Sequence, residues 1–202
     1  MNEPGSDEVE RLQRQLAFVR EIDSLKGVLR KNLLTDRSRR ENSAEHSWHL
    51  GMMAWCLVEY APGTIDLARA MQLALMHDLV EIDAGDTFVY GDGVADQAER
   101  EQRAAARIFS LLPEPQAATL WELFAELERG ETPEARYVRV LDRLQPLLLH
   151  EATGGVVWQQ HGVRKSQVLA RMNEIEQHAP RLWPVVTRII EAAVEHGSLI
   201  DE

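Results

Sequence analysis

The chain has one cysteine, Cys56, in 202 residues. That excludes an intramolecular disulfide and any cysteine-built zinc pattern. Lying among Met53, Trp55 and Leu57, its thiol reads as packed. Long apolar runs are also missing. The longest, Leu67 to Val80, is interrupted by Arg69 and Gln72 and falls short of the roughly 20 residues a membrane-spanning helix needs. Met1 to Asp7 is polar and acidic, without the order of a secretion signal. The expectation is a cytoplasmic protein with no membrane partner. Positive charge is scarce as well: 22 Lys and Arg face 33 Asp and Glu, for a net −11. This argues against a nucleic acid polymer as partner, because such binding runs on lysine and arginine contacts to phosphate. A small phosphorylated ligand needs only a local basic cluster. Repeats, low-complexity tracts and convincing strand patterns are absent too.

At 45% hydrophobic, the chain can bury one sizeable core, which predicts a single domain over residues 1–202. The apolar spacing is helical nearly throughout. Leu12, Leu16, Val19, Ile22 and Leu25 predict an amphipathic helix from Asp7 to about Arg30, followed by a polar, basic loop, Thr35 to Arg40. Asn42 with Glu45 three residues on is a capping box that starts a second helix, running to about Tyr60. Thr64 can cap a central helix that Gly85 stops, and a Gly- and Asp-rich loop spans Asp86 to Ala95. Further helices are expected at 96–112, 115–129, from Glu134 after the Thr132-Pro133 cap, at 164–178 and at 182–196. The predicted fold is all-α, a bundle of about seven or eight helices round the central one.

That central helix is apolar nearly all round, yet it carries His77, Asp78 and Glu81. A buried carboxylate costs several kcal/mol unless it is paired or binds a metal. At i and i+4, His77 and Glu81 share a face, with Asp78 to one side. A His-Asp dipeptide alone is more often a pair of residues hydrogen-bonded to neighbouring helices. Two further residues shift the balance: His46 on the second helix and Asp142 on the helix from Glu134 could meet His77 and Asp78 at one ion. Imidazole with carboxylate suits Mn, Co, Fe, Ni or Zn better than Mg or Ca. His49, three residues from His46, competes with it as ligand.

The ordered set Glu41-Asn-Ser-Ala-Glu45-His46-Ser, His77-Asp78-Leu-Val-Glu81, Gly85-Asp86 and Leu141-Asp142 resembles the HD-domain phosphohydrolase superfamily over about residues 10–150, with helices at about 155–197 beyond it. The nearest branch holds the bacterial 5'-deoxynucleotidase and its eukaryotic relatives. The resemblance implies one divalent transition metal on His46, His77, Asp78 and Asp142, with His46 preferred over His49. It implies proton transfer or water positioning by Glu81, sugar contact by Asp86, and a homodimer. Binuclear members insert further histidines before the last aspartate, and none lies between Asp78 and Asp142 here.

Arg37, Arg39 and Arg40 precede the helix bearing His46, and Lys26, Arg30 and Lys31 end the first one. Arg40 and Lys31 are the candidate phosphate holders. The tryptophan that contacts nucleotide in this branch has no counterpart in Arg30-Lys-Asn-Leu33, which leaves base and sugar choice open. His150, His161, His178 and His196 read as surface or helix-end residues, and the tryptophans as core or interface. The expected activity is release of phosphate from nucleoside 5'-monophosphates, the deoxy forms among them. The alternatives are another phosphate ester, such as a triphosphate or cyclic phosphodiester, and a non-catalytic nucleotide-binding adaptor.

Overall fold

In a computed structural model the described residues are 5–87, 90 and 96–202, so most of the predicted 86–95 loop lies outside them. The all-α expectation holds. The helices are α1 (Ser6–Glu21), α2 (Ser43–Cys56), α3 (Leu67–Met76), α4 (Glu81–Ala84), α5 (Gln97–Phe109), α6 (Glu114–Arg129), α7 (Pro133–Ala152), α8 (Val156–His161), α9 (Lys165–His178) and α10 (Trp183–Glu195). They outnumber the seven or eight expected for two reasons: the central helix is divided, and a short helix follows Gly155. Buried apolar side chains from Leu25 to Leu199 form one continuous cluster, with Leu50, Leu73, Phe109, Tyr137 and Ile189 among them.

Local chemistry sets the helix ends. The Asn42–Glu45 capping box is present, with the Asn42 side chain accepting from Glu45 N at 2.9 Å. Thr132 accepts from Ala135 N and Pro133 sits in the first turn of α7. The cap of α3 is Asp66, accepting from Arg69 N, and not Thr64, because the chain becomes helical only at Leu67. Gly85 ends α4 at φ 74°, a conformation glycine takes without steric cost. Pro146 lies inside α7, where its missing N–H leaves the Asp142 carbonyl without its helical donor.

Three expectations change. First, the first helix stops at Glu21, and a 3₁₀ segment, Ile22–Gly27, leads into a small antiparallel hairpin of β1 (Leu29–Leu33) and β2 (Arg40–Asn42). Its register is uneven: Leu29 pairs with Asn42 and Leu33 with Arg40, so β1 bulges through Arg30, Lys31 and Asn32. Second, α1 buries none of its residues, and Leu12, Leu16 and Val19 stay exposed. It docks through Phe18, partly buried against the core, and through polar contacts in which the Arg14 guanidinium donates to the Ser110 and Leu112 carbonyls just past α5, and Gln15 to Gln116. Third, Cys56 is exposed, because α2 buries the face of His46, Leu50 and Met53, and position 56 falls off it.

Candidate metal centre

The central helix changes pitch at its chemistry. After α3 the chain tightens into a 3₁₀ turn, His77–Val80, before α4 resumes at Glu81. In that geometry residues three apart eclipse, so Asp78 and Glu81 align, where an unbroken α-helix would have aligned His77 with Glu81. The central helix is also less enclosed than its composition suggests, since Leu75 is half exposed.

His46 from α2, His77 from the 3₁₀ turn and Asp142 from α7 each bring a ligand atom to one point, all within 4.8 Å of one another. His46 Nε2 lies 3.0 Å from Asp142 Oδ1, and His77 Nε2 lies 3.8 Å from the same oxygen. Asp78 borders the group, with Oδ1 3.0 Å from His77 Nε2 and Oδ2 4.0 Å from His46 Nε2.

The hydrogen bonds fix which nitrogen faces inward. The Ala74 carbonyl can only accept, so His77 Nδ1, 2.8 Å away, carries the proton. Gln145 Nε2 donates to Glu41 Oε1 at 2.6 Å, which leaves Gln145 Oε1 to accept from His46 Nδ1 at 3.1 Å. Both Nε2 lone pairs are thereby turned toward carboxylate oxygens, the usual arrangement of metal-binding imidazoles with an outward Nδ1–H bond. Lone pairs facing oxygen at this range repel unless a cation or proton sits between them. His77 Nε2 is buried without a hydrogen bond of acceptable geometry, the atom a cation would take up. The residues therefore fit a divalent ion. Without one, burial lowers the pKa of His77, but Asp78 and Asp142 outweigh it and push it up to about 9. Burial likewise opposes the charge on Asp142, yet the His46 bond and Arg143 hold its carboxyl well below the usual range.

Beside this group lies an acid cluster knit by Arg30. From the β1 bulge its guanidinium reaches Asp78 at 3.1 Å, Glu41 and Asp86 at 3.6 Å, and Glu81 at 4.0 Å. Bulges often re-aim a side chain next to an active site. Glu81 accepts from Ser43 Oγ through Oε2 at 2.5 Å, and burial together with Asp78 pushes its pKa up to about 8. The cavity alongside measures about 340 Å³, the size of a small-molecule site, and is lined by Arg30, Lys31, Asp86, Arg143 and others.

The structure thus gathers His46, His77, Asp78, Asp142, Glu81, Asp86 and Lys31, and leaves Arg40 out. On β2 Glu41 points inward and Arg40 outward, exposed and off the cavity. Arg39 is bound to Glu45 at the surface. His49 is turned aside, its Nδ1 3.2 Å from Gln145 Nε2. Sequence reasoning weighed Arg30 only as one of the basic residues ending the first helix, and gave no role to Glu41, Ser43, Gln145 or Arg143. Only the buried acids flanking β1 could have signalled Arg30. His150, expected at the surface, is 5% exposed and lines the cavity, stacked on Trp158.

Fold and site together define an all-helical protein with a mixed imidazole and carboxylate centre opening on a small-molecule cavity. The chain belongs to the HD domain family, whose model matches residues 22–183. It is 30% identical over 136 residues to human 5'-deoxynucleotidase HDDC2, matching 66% of this chain and 65% of that one, just under two thirds of the relative's length. Among solved structures it resembles a "predicted metal-dependent phosphohydrolase" from Magnetospirillum magnetotacticum MS-1, at 47% identity and TM-score 0.91, covering 97% of this chain and 98% of that one. A protein from Pyrococcus horikoshii OT3 shares the fold at TM-score 0.65 and 19% identity, covering 88% and 99%.

Proposed function

We propose that the protein is a metal-dependent phosphomonoesterase that releases inorganic phosphate from nucleoside 5'-monophosphates, the deoxy forms among them. The observation that carries this is the pair of inward Nε2 atoms set against Asp78 and Asp142 beside a cavity lined by Arg30 and Lys31. The names of its relatives support the substrate class. His46, His77, Asp78 and Asp142 would hold one divalent transition ion. Such an ion supplies Lewis-acid polarisation of a phosphoryl oxygen and activates water as the nucleophile.

The chain's own groups do the rest. Arg30, held rigid by its carboxylate neighbours, offers its guanidinium edge to the phosphate, a part that the sequence reading gave to Arg40; Lys31 adds a second cation. Ser43 pins Glu81 Oε2, and Oε1, 4.0 Å from the Arg30 guanidinium, is the oxygen that holds or delivers a proton at the reacting oxygens. Asp86 faces the sugar side. One phosphate ester and one water give a nucleoside and phosphate.

Metal-stripped protein supplied with single ions and a nucleotide panel tests this through phosphate release. Mn, Co, Ni, Fe or Zn should restore more activity than Mg, because two imidazoles are poor ligands for a hard cation. Full activity with Mg that no transition ion raises would count against the centre, and turnover of no phosphate ester with any ion would leave a nucleotide-binding adaptor.

Within the same reading the protein is one domain and works as a homodimer in the cytoplasm. Among the described residues no helix is long and apolar enough to cross a membrane. The dimer reading is supported by a stripe on α2, where Trp48, Met52 and Trp55 are 64%, 42% and 58% exposed beside Leu75 of α3. Large exposed apolar patches usually mark interfaces. Light scattering on a sizing column should give twice the chain mass, and Trp55→Glu should give the monomer; a wild-type monomer refutes it.

A further inference from the structure

The cavity extends past the metal centre, and its far wall is polar in a way that the phosphate chemistry leaves unused. His150 lies two turns beyond Asp142 on α7. Its ring is stacked on Trp158 of α8, centroids 4.3 Å apart and planes at 34°, and its side chain makes no hydrogen bond among the described residues. Buried imidazoles are nearly always hydrogen-bonded. Burial pushes its pKa down to about 4, so near neutral pH it offers one donor and one acceptor.

Arg171 on α9 lines the same cavity and likewise makes no ion pair or hydrogen bond among the described residues. Burial and the neighbouring Arg143 guanidinium lower its pKa, while Arg143 itself is engaged by Asp142 at 2.6 Å. Arg171 is half-buried and feels Asp142, Tyr90 and Glu174 only at a distance, so its donors are left for a ligand that supplies an acceptor. The rest of that wall includes Leu147, Phe124 and Met172, which suits a flat, weakly polar group. A second phosphate fits it poorly, since a neutral imidazole and apolar side chains would leave most of its oxygens unanswered.

We infer that this wall is the base subsite, in which Arg171 and His150 hydrogen-bond the edge of a nucleobase that sets a carbonyl beside an unprotonated ring nitrogen, so that guanine and cytosine are taken in preference to adenine. The inference rests on the nucleoside monophosphate reading above. The arginine fork donates to a carbonyl and to an unprotonated ring nitrogen beside it, the pairing it makes with guanine in nucleic acids; in uracil and thymine that nitrogen carries a proton. Trp158 holds the imidazole plane in place. This wall also gives the chain an aromatic element that its β1 segment lacks.

The test compares kcat/KM for dGMP, dCMP and dAMP with that for base-free 2-deoxyribose 5-phosphate, in the metal-loaded wild type and in Arg171→Met and His150→Phe. The wild type should prefer dGMP and dCMP to dAMP. A bidentate contact discriminates by about ten- to a hundredfold, so Arg171→Met should lower the ratio of dGMP to base-free ester by about that factor, mainly through KM. His150→Phe keeps the stack on Trp158 and removes the ring nitrogens, and should lower the same ratio less; it carries the inference if Arg171→Met fails to fold. Equal losses on the base-free ester would assign Arg171 to the phosphate and overturn the inference, as would unchanged ratios in both variants or a wild-type preference for dAMP. Nucleotide turnover with unchanged ratios overturns only the base subsite, whereas a wild type inert toward every nucleotide removes the reading beneath it as well.

Discussion

Asp142→Ala is expected to yield protein with little bound metal and almost no turnover. Its Oδ1 is the oxygen both histidines approach, at 3.0 and 3.8 Å, and its Oδ2 takes the Arg143 guanidinium at 2.6 Å. Loss of a group that merely supports a ligand typically costs about 10- to 100-fold in affinity or activity, and loss of the ligand itself should exceed that. Two imidazoles and Asp78 would remain. Arg143 would also be left without its carboxylate, a further cost in stability. Metal content after purification and titration of the stripped variant decide the point. Normal occupancy with normal affinity would show that the three-helix centre is wrongly drawn.

Glu81→Gln should separate catalysis from binding. Gln keeps the size of the side chain and can still accept from Ser43 Oγ, but it cannot exchange a proton near neutral pH. Fold and metal content should survive while kcat falls by about 10² to 10⁴, the usual worth of general acid–base catalysis. The wild-type carboxyl, held up to about 8 by burial and Asp78, is protonated over much of the neutral range before an ion binds. Unchanged kcat would remove Glu81 from the mechanism. Loss of metal together with activity would make it a ligand.

Much of the centre was legible because its residues are anomalies of pattern. His77, Asp78 and Glu81 break an apolar helix, and Asp142 sits on an apolar stripe, so each advertises a missing partner. The capping box at Asn42 and the Thr132-Pro133 start were equally readable, being local chemistry. Arg30 was not. The apolar spacing of α1 runs on past Glu21, and nothing nearby announces a bulged strand whose partner lies about ten residues later. Arg40 was misplaced for the same reason, since strand alternation, not loop charge, decides which of Arg40 and Glu41 faces inward. The 3₁₀ turn at His77 is a tertiary effect that helical spacing cannot show. His150 and Arg171 are ordinary in sequence; only the cavity makes their lack of partners visible.

The separation of the centre along the chain has a consequence for how the protein is made. His46 and Asp142 are 96 positions apart and meet only when α2, the central turn and α7 have docked. An unfolded chain offers a cation little more than the neighbouring His77 and Asp78, so the ion binds the native state almost alone. Its supply then becomes a term in the folding equilibrium: free ion at 100 times its dissociation constant adds about 2.7 kcal/mol to native stability. Melting temperature should climb with metal concentration even under conditions where no substrate is present. In a metal-starved cell the same sequence would be both inactive and easier to unfold, and the ion would regulate how much of the protein persists as well as how fast it works.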